Sequence, residues 1–91
     1  MITKYENYCA ICGQPKSDVH HLVFGIANRK LSDEDGLTIP VCRKHHELLH
    51  EQAIISKIIG QLAYERDKCA EGYGVDAARE SFRQRYGKSY L

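Results

Sequence analysis

The chain has 91 residues, among them four cysteines and five histidines, and a formal net charge of +1. One domain of this size has a marginal core of its own and commonly draws stability from a metal or from disulfides. Near-neutrality excludes a global basic field, so any anion-binding surface must be local. No apolar run approaches the roughly 18 residues of a membrane span, and the opening MITKYENYCA lacks the apolar core of a secretory signal. A cytoplasmic location is the expectation, and there thiols stay reduced. The cysteines therefore read as metal ligands rather than disulfide partners.

Residues 1–8 form a polar, Tyr-bearing lead-in, and CAIC followed by GQP reads as a tight turn. VHHLVF (19–24) has the β-branched and aromatic content of a strand. GIANRKLSDEDG (25–36) reads as a charged loop, and LTIPV (37–41) as a second short strand that Pro40 places at an edge or a strand end. The pattern turns helical from Arg43. EQAIISKIIGQLAYERDKCA (51–70) spaces Ile54, Ile55, Ile58, Ile59 and Leu62 as one buried helix face. The pattern leaves open whether His46–His50 belong to that helix or to a separate one. EGYGVD (71–76) breaks the helix, and Asp76 is a candidate cap for a short last helix ending at Gly87. No repeat or linker interrupts the order. The expected fold is α+β: one domain over 1–91, with a zinc knuckle and a ββα core in 9–50 and a helical C-terminal extension over 51–91.

Two ligand constellations stand out. CAIC and CRKH supply Cys9, Cys12, Cys42 and His45 as two pairs, each with two residues between partners. Four such ligands close a tetrahedral zinc site with no open position, whose binding energy acts as folding energy. The 29 residues between the pairs (13–41) exceed a usual finger loop and enclose the whole strand–loop–strand segment. Cys69 has no partner at ligand spacing and reads as a packing residue.

The remaining histidines form the second constellation. His46 and His50, four apart, stack on one helix face, while His45 is turned about 100° away, so one helix can serve two metals. A third imidazole from the strand would complete a site with room for water and a phosphate oxygen. His20 and His21 project to opposite sides of a strand and divide the work. One reaches the ion; the other is free to act as a base. An imidazole titrating near 6.5 suits acceptance of a water proton at neutral pH.

The pattern C-x2-C … VHHL … C-x2-H-H-x3-H resembles the HNH endonucleases, the ββα-metal nucleases, in their zinc-knuckle form, over roughly residues 9–50. The resemblance implies His20 as metal ligand, His21 as general base, and His46 and His50 as the other ligands. The tail, GQLAYE and FRQRYGKSYL, is similar to endings of short phage-encoded members, some of them linked to recombination, so a bacterial or phage-infected cell is the implied setting. Two departures stand. The family's middle Asn has no clear counterpart: Asn28 lies early in the loop, Leu37 and Thr38 stand near its place, and Asp33 or Asp35 could substitute. His20 also occupies a position where Asp is frequent. Three imidazoles favour Zn, Ni or Mn over Mg.

The implied function is metal-dependent hydrolysis of DNA phosphodiester bonds with weak sequence preference. The implied cofactors are a structural Zn2+ and one catalytic divalent ion, and the partners DNA and a recombination or phage replication protein. Arg43 and Lys44 at the helix start, Arg29 and Lys30 in the loop, and Arg79, Arg83, Arg85 and Lys88 in the tail are the candidate phosphate contacts. The alternative is a zinc-stabilised module that binds DNA or protein without catalysis.

Overall fold

The computed structural model describes residues 1–91. Its elements in chain order are β1 (Asp18–His21), α1 (Asn28–Glu34), β2 (Thr38–Val41), α2 (Arg43–Glu51), α3 (Ala53–Ala70) and α4 (Val75–Tyr86). The result is a small α+β fold with one two-stranded antiparallel sheet and four helices. The strands pair Asp18 with Val41, Val19 with Pro40, His20 with Ile39 and His21 with Thr38. Pro40 lacks an N–H for the ladder. Its carbonyl instead receives the Ala10 N–H at 2.8 Å, and the Thr38 carbonyl receives that of Ile2 at 3.0 Å. The N-terminal segment thereby covers the outer edge of β2. The turn expected at CAIC-GQP is present, closed by a bridge between Tyr8 and Pro15.

β1 is shorter than the apolar run that announced it. After His21 the chain bends, and the fully buried Leu22 and Val23 feed two different parts of the core. Leu22 joins Cys9, Ile39, Val41 and Leu49 under the sheet, while Val23 joins Leu37, Ala63, Tyr64, Phe82 and Tyr86 between the helices. The charged segment expected as a loop contains α1. Buried Ser32 anchors it, its hydroxyl accepting the Val23 N–H at 3.1 Å and donating to the Val23 carbonyl at 2.7 Å. A seven-residue helix with one buried position shows almost no periodicity, which is why its composition reads as loop.

α2 and α3 are separate helices, broken at Gln52, whose ψ of 54° departs from the helical region. α3 also turns most of its expected face outward, with Ile58 half-buried. Ile54, Ile55, Ile59 and Leu62 are 57%, 51%, 38% and 51% exposed. The buried face is instead Ser56, Gly60, Gln61, Ala63, Tyr64 and Glu65. Two physical facts choose that side. A Cβ on Gly60 would lie 2.6 Å from Val23 Cγ2 and 3.0 Å from Leu22 Cβ, so only a glycine lets α3 approach the end of β1 this closely. The buried polar groups are also partnered: Gln61 Nε2 donates to Glu65 at 2.7 Å, and Arg79 forks onto the same carboxylate at 3.2 Å. Cys69, expected to pack, is exposed. Gly74, rather than the side chain of Asp76, precedes α4, and Asp76 lies in its first turn. No helix is long and apolar enough to cross a membrane.

Candidate metal centres

Cys9 and Cys12 sit on the N-terminal turn, Cys42 caps α2 and His45 lies within its first turn. One ligand atom of each lies within 4.8 Å of all the others, so the four form a Cys3His cluster able to hold a metal ion. All four cysteines of the chain are free thiols. The spacing fits a tetrahedral ion. Two sulfurs each at about 2.3 Å from zinc are separated by about 3.8 Å, and a sulfur–imidazole pair by about 3.6 Å. Cys12 and Cys42 sulfurs are 3.8 Å apart, and His45 Nδ1 is 3.6 Å from Cys9 and 3.2 Å from Cys42. Burial pushes the Cys9 thiol up, but the backbone N–H groups of Cys42, Cys12 and Ile11 outweigh it and bring it down to about 6. Cys12 is held up despite a backbone hydrogen bond at Gln14, by desolvation and the neighbouring Cys9 and Cys42 sulfurs. Such crowding of thiols favours a cation among them.

The second cluster joins β1 to α2. His46 and His50 lie one helical turn apart on α2, and their Nε2 atoms are 3.2 Å from each other. His20 projects from β1 onto the same place, its ring 5.2 Å and 5.1 Å from theirs, and one ring nitrogen of each lies within 4.8 Å of the other two. Two imidazole nitrogens on one tetrahedral zinc would stand about 3.3 Å apart. The residues therefore fit an ion. His45, the immediate neighbour of His46, belongs to the Cys3His cluster, so the helical rotation sends adjacent histidines to different centres.

The surroundings prepare the imidazoles for this. His46 Nδ1 donates to Asp18 Oδ2 at 3.0 Å, which leaves Nε2 as the lone-pair nitrogen beside His50. The same hydrogen bond, with burial opposing and Arg43 assisting, lowers the Asp18 carboxyl. Desolvation and then the charge of His46 lower His50. Phe24 walls the cluster, its ring 4.6 Å from that of His50. His20 is only 1% exposed and its Nδ1 is buried without a hydrogen-bond partner. Burial first, then repulsion from His50, His46 and His21, brings its pKa from 6.5 down to about 4. The unfolded chain thus binds more protons than the folded one between these values, so this histidine's contribution weakens folding as pH falls from 6.5 towards 4. With no ion at the histidines, an NMR titration is expected to show the His20 ring still neutral at pH 6.5, where a free imidazole is half protonated. A midpoint at the ordinary histidine value would contradict this environment.

His21 stays outside the triad. It lines the same cavity of about 170 Å3 as His20, His46 and His50, together with Val19, Phe24 and Arg29. Its Nε2 lies 3.4 Å from Asp33. Of the two carboxylates singled out in the sequence, Asp33 and Asp35, only Asp33 reaches His21. Asp35 is instead engaged by Arg85 at 2.7 Å and Tyr86 at 2.6 Å. The cations also sort themselves. Arg29 lines the histidine cavity, and Lys30 lines an adjoining one with His21, Arg29, Ile26 and Asp33. Arg43 is drawn to Asp18 at 3.4 Å, and Lys44 is exposed at the start of α2. The tail arginines are held by carboxylates: Arg79 by Glu65, Arg83 by Glu80, and Arg85 by Glu34 and Asp35.

Two site residues escaped the sequence reading. Asp18 carried a signal, since it lies two positions before His20 and hence on the same face of β1. Ser56, whose hydroxyl is 2.8 Å from His20 Nε2, carried none.

One relative, the uncharacterized protein YdfU of Escherichia coli (strain K12), is 40% identical over 47 residues, which is 50% of this chain and 14% of that protein. The chain thus spans a small fraction of that relative's length. No solved structure matches it. The family described as protein of unknown function, DUF968, matches residues 4–57, a segment that holds both metal-ligating clusters. That match covers more than half of the 91 residues, and the chain belongs to the DUF968 family.

Proposed function

We propose that the chain is a metal-dependent endonuclease of the HNH type, in which β1, β2 and α2 form a ββα-metal unit and Cys9, Cys12, Cys42 and His45 a structural zinc knuckle. The observation that carries this reading is the convergence of His20, His46 and His50 on one point with His21 beside it in the same cavity. His20, His46 and His50 are the residues that would hold the ion. A divalent ion there supplies charge neutralisation at a phosphodiester. His21 takes the proton of the attacking water, with Asp33 steadying its ring. Arg29, beside the histidines, holds a phosphate oxygen, Lys30 in the adjoining cavity adds a second cation, and exposed Lys44 at the start of α2 a third. Arg43 orients Asp18, and through it His46, as well as facing solvent. Contacts of this kind grip phosphates without reading bases, so sequence preference is weak.

Metal analysis of the purified protein, followed by nicking of supercoiled plasmid in Mg2+, Mn2+, Ni2+ and Zn2+, tests the reading. Two ions per chain and nicking that a chelator abolishes are expected. One ion per chain with no nicking in any metal would overturn it in favour of a zinc-stabilised binding module.

A further inference from the structure

Ser56 lies on the buried face of α3, fully enclosed, far along the chain from β1. Its hydroxyl stands 2.7 Å from the Leu22 carbonyl oxygen and 2.8 Å from His20 Nε2. A carbonyl oxygen only accepts, so the single hydroxyl proton of Ser56 goes to Leu22. What the hydroxyl then offers His20 is a lone pair, and a contact of this length requires an N–H on Nε2. In a neutral imidazole the other nitrogen, Nδ1, must carry the lone pair. Nδ1 of His20 is buried and has no hydrogen-bond partner. A buried acceptor left empty is costly, and such atoms call for an explanation. Nε2 is engaged by Ser56 of α3, so Nδ1 is the ring nitrogen that no protein group occupies.

We propose that Ser56 is a positioning residue that locks His20 as its Nε2–H tautomer and thereby presents Nδ1 as the metal-ligating atom. The proposal deepens the reading of His20, His46 and His50 as one metal centre and rests on it. His46 is treated in the mirror sense: Asp18 accepts from its Nδ1 and leaves Nε2 for the ion. The two rings thus bind through different nitrogens, each set by a partner on its far side. Partners of this kind alter metal affinity by roughly 10–100-fold when removed.

The test uses protein with zinc in the Cys3His cluster. Imidazole 15N NMR before addition of a second metal is expected to show His20 protonated at Nε2 in the wild type and a tautomer mixture in Ser56→Ala. Titration with Co2+ is expected to show affinity at the histidines falling by roughly 10–100-fold in Ser56→Ala, while zinc content and far-UV circular dichroism match the wild type. A wild-type His20 protonated at Nδ1, or unchanged Co2+ affinity in a folded Ser56→Ala, would overturn the role of Ser56. If Ser56→Ala does not fold, the wild-type NMR measurement decides alone. Wild-type protein that takes up no Co2+ at the histidines instead refutes the metal centre itself, and the tautomer measurement separates the two failures.

Discussion

Replacing Cys9 with serine is expected to abolish cooperative folding rather than merely weaken it. Cys9 is 3% exposed and serves two roles at once. Its sulfur belongs to the Cys3His cluster, and its side chain packs with Leu22, Ile39, Val41 and Leu49 in the smaller part of the core. Structural zinc sites in short domains bind with an apparent free energy of about 10–16 kcal/mol, as large as the whole stability of an ordinary domain at about 5–15 kcal/mol. Losing a ligand therefore removes a contribution that the remaining core does not replace. The cluster also ties the N-terminal turn to the first turn of α2, so the damage reaches His46 and His50 through the helix that carries them. Thermal unfolding followed by circular dichroism, with zinc content measured on the same samples, checks this. Cys69→Ser, at an exposed position outside both clusters, should lie within about 0.5 kcal/mol of wild type. A Cys9→Ser protein that melts like the wild type would remove the structural role of the metal.

The second large effect is expected at His21, and it separates chemistry from architecture. His21→Ala should lower the single-turnover nicking rate by roughly 10²–10⁴-fold, the range that a positioned general base contributes. Metal content should remain at two ions per chain, because His21 belongs to neither cluster. His46→Ala is the contrasting variant. On the proposed function it removes a ligand and the hydrogen bond to Asp18 together, so the second ion and the nicking should both be lost. Asp33→Asn, which keeps a polar group 76% exposed beside His21, should cost far less than His21→Ala. A folded His21→Ala protein that holds two ions and nicks at the wild-type rate would eliminate His21 as the base.

The parts of this molecule that could be read in advance are those in which short-range spacing dictates geometry. C-x2-C and C-x2-H curl a backbone around one point. The 3.6-residue period then sends His45 one way and His46 with His50 another, as the structure places them. Strand alternation similarly puts His20 inside and leaves His21 partly open. What escaped were relations made by chain segments remote in sequence. The apolar stripe of α3 is correctly helical, yet periodicity states only that Ile55, Ile59 and Leu62 share a side. Which side faces the core is decided by the gap at Gly60 and by polar partners for Gln61 and Glu65. Arg79 and Arg85 looked available because their carboxylates lie elsewhere, Glu65 on α3 and Glu34 and Asp35 at the end of α1, whereas Arg83 pairs locally with Glu80 on its own helix. Arg29 was indistinguishable from its charged neighbours until α1 turned it towards the histidines.

The missing side chain at position 60 has a consequence that reaches past packing. Gly60 and Ser56 lie one helical turn apart on the same buried flank of α3, and the former rests against Leu22 and Val23, just after the strand that carries His20. The reach of the Ser56 hydroxyl to its imidazole is therefore metered by how far the helix sinks onto that strand. A single methyl group at position 60 would raise the helix and open the 2.8 Å contact while leaving every ligand residue in place. Proton placement on a ring is in this way calibrated by an empty space on a neighbouring helix.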